Sequence, residues 1–253
     1  MTKDAVLAIL RKENDYISGE HISRLLGVSR AAVNTAVKAL RAEGYEISSS
    51  TNKGYHLDAV PNSISAQELA AYLDEARMQT VECLASVDST NNRLRELALA
   101  GAPNGQVVLA NEQTQGKGRR GRAFASPQDN GIYLSILFHP DTLPTDIVEI
   151  TAWTAVATNN AIEEVCGVRA GIKWVNDLVI DRKKICGILT EMSVESESGY
   201  IQYLIIGIGI NVNGQAEDFP AEIRSTATSL AMETGKTHSR AALAAALIRE
   251  LDS

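Results

Sequence analysis

Gly116-Lys117-Gly118-Arg119-Arg120-Gly121-Arg122 packs three glycines and four cations into seven residues, with no anion among them. Glycines at this spacing let a backbone turn successive N–H groups inward as an anion nest. Long cationic side chains within reach of such a nest can neutralise a polyphosphate. A solvated basic loop is the plainer reading, and the interleaved glycines argue against it. The stretch is not a Walker A loop: Gly-Lys-Ser/Thr is absent and no helix start follows directly. Like charges repel and glycine is costly to fix, so the loop is expected to lack defined structure until an anion settles in it.

Working outward, the loop follows an apolar strand pattern over residues 106–112. Further strands are expected at 81–85, 132–138, 171–174, 178–180, 185–193 and 200–212, with helices at 91–100, 146–166 and 239–251. The later strands are adjacent and hairpin-linked, which indicates an α+β fold rather than a doubly wound one. At the N-terminus, Val6, Leu7, Ile9 and Leu10 repeat at helical spacing. A second short helix fits 19–26, with Ser18 as N-cap and Gly27 past its end, and Ser29 caps a third that runs from Arg30 to about Glu43. Helix, tight turn, helix is helix-turn-helix spacing. Two short strands, 45–47 and 54–57, then form a β wing. The expected organisation is a winged helix-turn-helix over 1–60, a linker at 61–65 and a second domain over 66–253.

Lys and Arg number 24 against 31 Asp and Glu, a formal charge of −7, which argues against indiscriminate nucleic-acid coating. Residues 24–53 are nonetheless locally +3 and residues 117–122 locally +4, so two separate anionic partners are expected. No apolar run reaches membrane-spanning length and no signal-peptide pattern opens the chain, so no membrane partner is expected. Cys83, Cys166 and Cys186 are odd in number without metal-type spacing, and the four histidines are scattered. Reduced thiols in a cytoplasmic protein, with no protein-built metal site, are the expectation.

Several polar residues carry two readings. Ser89 and Thr90 precede a helix and can cap it or meet a ligand. Gln113 is an exposed amide or a ligand contact. Trp174, alone in a strand, is expected in the core, and Asn176-Asp177 at the strand end can turn the chain or bind. Gly207 and Gly209 fail the dinucleotide pattern because Val212 stands at the last glycine position, and are better explained by close backbone approach. Lys184 follows Asp181-Arg182-Lys183, and either lysine can be the solvated one.

Ser89-Thr90-Asn91, the basic glycine loop, Lys173-Trp174-Val175-Asn176-Asp177, Lys184-Ile185-Cys186-Gly187-Ile188-Leu189 and Gly207-Ile208-Gly209-Ile210-Asn211 together resemble the biotin–protein ligase family, in order and spacing. The first sixty residues resemble the winged helix of its bifunctional members, the biotin operon repressors. The resemblance implies a mixed-sheet biotin/lipoate ligase-like catalytic domain that adenylates biotin with ATP and Mg2+ and transfers it to a lysine of a biotin carboxyl carrier protein. By the same resemblance Ser89, Thr90, Asn91, Gln113, Gly116, Lys117, Gly118, Arg119 and Lys184 bind biotin. Arg120, Arg122, Phe124, Lys173, Asn176, Asp177 and Asn211 take the nucleotide, and Lys184 and Arg119 are catalytic. Hydroxyls and amides suit a planar neutral ureido ring, and a single ammonium suits developing oxyanions.

Phe124 stands where the family commonly has Trp, Lys117 where it often has Arg, and Val175 where it usually has Pro. The family's small C-terminal β-barrel is not found before Ser253, which reads as a truncation point. In the first domain Ser29, Arg30, Asn34, Thr35 and Lys38 lie on the outward side of the expected recognition helix and would meet operator DNA. One copy binds weakly, so a ligand-promoted homodimer is expected. Two other readings stay open: a ligand-sensing repressor without transferase activity, and a lipoate-type acyl ligase.

Overall fold

The computed structural model describes residues 2–140, 144–195 and 199–253, and divides into two units at Asn62/Ser63. In the first, α1 (Thr2–Lys12), α2 (Gly19–Leu26) and α3 (Arg30–Ala42) enclose Val6, Leu7, Leu10, Ile22, Val33, Val37 and Leu40. The caps are those expected. Ser18 Oγ accepts from the His21 N–H, Ser29 Oγ accepts from the Ala32 N–H, and Gly27 closes α2 at φ 64°. Strands β1 (Glu46–Ser50) and β2 (Gly54–Ala59) pair antiparallel and run longer than expected, because the ladder continues through Ser48–Ser50 opposite Gly54–His56. Tyr55 bonds Ile17 in both directions at 2.9 Å, and Gly54 sits so close to Ile17 that a Cβ would fall 2.0 Å from its carbonyl oxygen.

In the second unit, Ile64, within the stretch read as a linker, is buried and clasped by Asn111. The Asn111 amide accepts from the Ile64 N–H at 3.0 Å and donates to its carbonyl at 2.8 Å. Two short helices absent from the sequence expectation follow, α4 (Ala66–Leu69) and α5 (Glu75–Met78), each one turn long and below what periodicity detects. Then come β3 (Val81–Leu84), α6 (Thr90–Leu99), β4 (Val107–Ala110), β5 (Gly131–Phe138), α7 (Ile147–Cys166), β6 (Gly171–Lys173), β7 (Asp177–Ile180), β8 (Lys183–Val194) and β9 (Ile201–Asn211). The helices α8 (Leu230–Thr234) and α9 (Arg240–Asp252) follow. The seven strands form one sheet in the order β3-β4-β5-β9-β8-β7-β6, in which only β3 and β4 run parallel. This is the α+β architecture expected from the hairpin-linked strands.

Strand side chains alternate between faces, and the two faces are covered differently. Leu204, Ile206, Ile208 and Ile210 of β9 join Ile132, Leu134 and Ile136 of β5 in the main core, with Ala155 and Ile162 of α7 and Leu243, Ala244 and Leu247 of α9. Tyr203 and Ile205 face the other way, into a smaller cluster with Leu94 of α6, Val108 and Leu137. Further along that second face the side chains run out, because its next positions are Gly207, Gly209 and, on β8, Gly187. The bare patch is where the sequence motifs converge.

Candidate active site

Three glycines make a floor that side chains from elsewhere occupy. A Cβ on Gly207 would lie 2.3 Å from Asn91 Oδ1, one on Gly209 2.4 Å from the Phe124 ring, and one on Gly187 2.8 Å from Lys184 Nζ. Close approach is therefore what these glycines provide, as the failed dinucleotide pattern suggested.

Above the floor are two adjoining cavities. The first is lined by Ser89, Thr90, Asn91, Gln113, Lys117, Gly118, Arg119, Phe124, Asn176 and Lys184, over Leu134, Ile188, Leu189 and Ile208. Most of its polar groups are braced. Gln113 Oε1 accepts from both the N–H and the hydroxyl of Thr90, at 2.9 and 3.0 Å, and Gln113 Nε2 donates to Ser126 Oγ. Ser135 and Glu191 occupy the Asn91 amide, at 2.6 and 2.7 Å. Ser89 is different. It holds the N-cap position of α6 with its side chain capping nothing, and it is 2% exposed. Of the two readings open for Ser89, the geometry leaves its hydroxyl to the cavity.

The second cavity is cationic. Arg119, Arg120, Arg122, Lys173, Arg182 and Lys184 line it, with Asp177 as its one carboxylate among the described residues; Asn176 and Asn211 stand beside them. Phe124, Phe219, Ile223 and Ala227 supply an apolar wall. Asp177 Oδ1 pairs with Lys184 Nζ at 2.8 Å, and Arg119 donates to Asn176 Oδ1 at 2.9 Å. Asn211 Nδ2 donates to Thr228 O, and Lys184 N–H donates to Thr226 O at 2.7 Å, which tethers the 213–228 segment beside the lysine. Lys184 thus reaches both cavities, whereas Lys183 is exposed and lines neither.

The basic loop has defined structure, contrary to expectation. Gly118 N–H donates to Arg122 O at 2.7 Å and Phe124 N–H to Gly116 O at 2.9 Å, around a 3-10 turn at Arg119–Gly121. Gly116 lines neither cavity. Its lack of a side chain lets Phe124 O approach to where a Cβ would stand 2.3 Å away. Lys117 bonds Asn92 Oδ1, whose amide nitrogen in turn donates to Asp88. That amide, the Ser89 N–H and the Lys117 charge hold the Asp88 carboxyl below its ordinary pKa.

Asp88, Asn92, Arg182 and the Phe219–Ile223–Ala227 wall were missed from sequence. A wall assembled from a loop lacks periodicity, so it leaves no local signal. Trp174 is a correction: it is 71% exposed rather than core, because it follows β6 at the sheet's edge. In the first unit Ser29, Arg30, Asn34, Thr35 and Lys38 are all exposed on or before α3. Asn34 also donates to the Tyr55 hydroxyl at 3.1 Å.

The profile of the Biotin/lipoate A/B protein ligase family matches residues 83–211, which span the motifs from Ser89-Thr90-Asn91 to Gly207–Asn211. The chain belongs to that family. A profile described as HTH domain matches residues 2–56 of this ligase. It is 40% identical to the Bifunctional ligase/repressor BirA of Bacillus subtilis over 242 residues, 95% of this chain and 74% of that protein. The protein of the same name from Escherichia coli is 29% identical, over 97% and 74% of the two chains. Among solved structures, biotin protein ligase from Aquifex aeolicus in complex with biotin and ATP superposes with a TM-score of 0.60 at 32% identity, covering 68% of each chain.

Proposed function

We propose that this ligase joins biotin to ATP to form biotinyl-5′-AMP, passes the biotinyl group to a lysine of a biotin carboxyl carrier protein, and represses transcription at an operator through its N-terminal winged helix. The observation that carries the first part is the pair of cavities sharing Arg119, Phe124, Asn176 and Lys184. One is lined by hydroxyls and amides over the bare backbone of Gly187, Gly207 and Gly209, with Leu189 beside them, which suits a neutral ring on an alkyl stem. The other gathers six cations, which suits a triphosphate.

The carboxylate would arrive at the shared border and attack the α-phosphorus; the bond to the β-phosphate oxygen breaks and pyrophosphate leaves with the electron pair. Two anions meet in that step, so positive charge at the border is what lowers the barrier. Lys184 and Arg119 occupy it. In the second step a carrier lysine amine attacks the acyl carbon and AMP departs. Ser89, Thr90, Asn91, Gln113, Lys117 and Gly118 hold the biotin side in this reading. Arg120, Arg122, Phe124, Lys173, Asp177 and Asn211 hold the nucleotide. Gly116 acts through the backbone turn it permits.

Mg2+ fits as a companion of the nucleotide. Among the described residues no three His, Cys, Asp or Glu side chains gather into a metal site. Asp177 alone offers a carboxylate in the cationic cavity. One carboxylate plus phosphate oxygens and water is how Mg2+ is ordinarily held beside a triphosphate.

For the regulatory half, Arg30, Asn34, Thr35 and Lys38 present donors and charge on one exposed helix face, the arrangement that reads a major groove. A homodimer formed on ligand binding would place two such helices on two half-sites. No described helix is long and apolar enough to cross a membrane; a cytoplasmic location accords with the whole reading.

Exchange of labelled pyrophosphate into ATP tests the enzyme. Exchange that requires biotin is expected. Exchange with lipoate instead would make this an acyl ligase of the other branch, and tight biotin binding without exchange would make it a sensor-repressor.

A further inference from the structure

Five non-glycine residues among those described have left-handed φ: Asn52, Arg120, Asp129, Asp181 and Arg182. Asn and Asp visit that region routinely, because their short polar side chains bond locally; arginine does not. The two arginines are therefore the unusual members, and both line the cationic cavity. Arg120 (φ 57°) sits in the basic glycine loop. Arg182 (φ 67°) lines the same cavity from the two-residue turn between β7 and β8, where Ile180 pairs with Lys183.

That turn needs left-handed backbone at both central positions, and Asp181 (φ 46°) meets the need cheaply. At position 182 glycine would be the favoured residue. Arginine there is strained and exposed, and the turn's own hydrogen bonds do not need its side chain. Strained backbone persists where something other than local stability is served. Arg182 lines a cavity whose other cations are Arg119, Arg120, Arg122, Lys173 and Lys184.

We propose that Arg182 binds the departing pyrophosphate, that is, the β- and γ-phosphates of the incoming nucleotide, from the turn between β7 and β8. The inference rests on the adenylation reading above and adds a polyphosphate contact from the β7–β8 turn. A planar guanidinium is suited to two phosphate oxygens at once. Asp177 lies on β7, paired with Lys184, so the same hairpin supplies the cation at the α-phosphate border and one at the leaving group.

Glycine at 182 separates this role from a structural one, because it relieves the backbone while deleting the charge. In the full chain, Arg182→Gly should raise KM for both ATP and pyrophosphate in the exchange reaction by roughly tenfold, the loss expected for one partly exposed charge-assisted contact. KM for biotin should not move, and the melting temperature should hold or rise. Arg182→Lys, which keeps the charge but not the fork, should fall between the two. Wild-type KM values for ATP and pyrophosphate in Arg182→Gly would overturn the inference, as would an equal rise in KM for biotin. Absence of exchange in the unaltered protein would overturn the adenylation reading itself, a result distinct from either of these.

Discussion

Lys184, like Arg119, Phe124 and Asn176, lines both cavities, and its ammonium stands 2.8 Å from Asp177. Its neighbour Lys183 points to solvent. Alternation along a strand sends successive side chains to opposite faces, so a register shift of one residue would have exchanged their roles. Lys184→Ala should cut biotin-dependent exchange about 10²–10³-fold, the usual loss for a group that stabilises a developing oxyanion. Biotin affinity by calorimetry should stay close to that of the unaltered protein, and Lys183→Ala should change neither. Ser89 makes the complementary case. Its hydroxyl caps nothing, so Ser89→Ala should leave the melting temperature unchanged. Loss of one neutral hydrogen bond, about 1 kcal/mol, should weaken biotin binding roughly fivefold. A lowered melting temperature with intact biotin binding would show the residue to be a cap after all.

At the scale of elements, the site depends on how α9 is seated. Arg240 opens that helix with no exposure at all, and its guanidinium meets Asp129 Oδ1 at 2.5 Å and Gly131 O at 3.1 Å. Burial pushes the guanidinium pKa down while Asp129 pushes it back up. Asp129 and Gly131 lie where the chain returns from the basic loop into β5, so the ion pair ties α9 to the exit of that loop. Removing one partner of a buried pair leaves the other charge uncompensated. Asp129→Asn keeps a residue at ease with φ 61° but withdraws the countercharge. It should cost about 2–3 kcal/mol in denaturant unfolding, below the full range for buried pairs because Asp129 itself is half exposed. Unchanged stability would mean that the Gly131 carbonyl suffices for Arg240.

For the molecule as a whole, two units with separate cores imply that effector and operator are read by different parts of the chain. The homodimer proposed above needs an interface that ligand binding changes. The cationic loop is the candidate, since a bound adenylate would neutralise it. Sedimentation at concentrations that bind operator should therefore give a monomer without ligand and a dimer with biotinyl-adenylate. A monomer with saturating adenylate that still occupies both half-sites would contradict this. Contacts of the exposed Arg30 and Lys38 with phosphates would make operator affinity fall with salt.

Local physics accounts for much of what was legible. Ser18, Ser29 and Gly27 announce the ends of α2 and α3 through backbone groups that only a cap can satisfy, and the glycine-rich cationic loop announces an anion. Apolar alternation placed seven strands within a few residues of where they lie. Other features needed the folded chain. The parallel pairing of β3 with β4, the convergence of Gly187, Gly207 and Gly209 beneath Phe124, Asn91 and Lys184, and the freedom of the Ser89 hydroxyl all depend on segments well apart in the chain, as far as Asn91 is from Gly207. Trp174 was misread for the same reason, since a strand's burial is set by its place in the sheet. Caps and turns are governed by neighbours in sequence, whereas exposure, register and cavity lining are governed by neighbours in space, which no short window of residues contains.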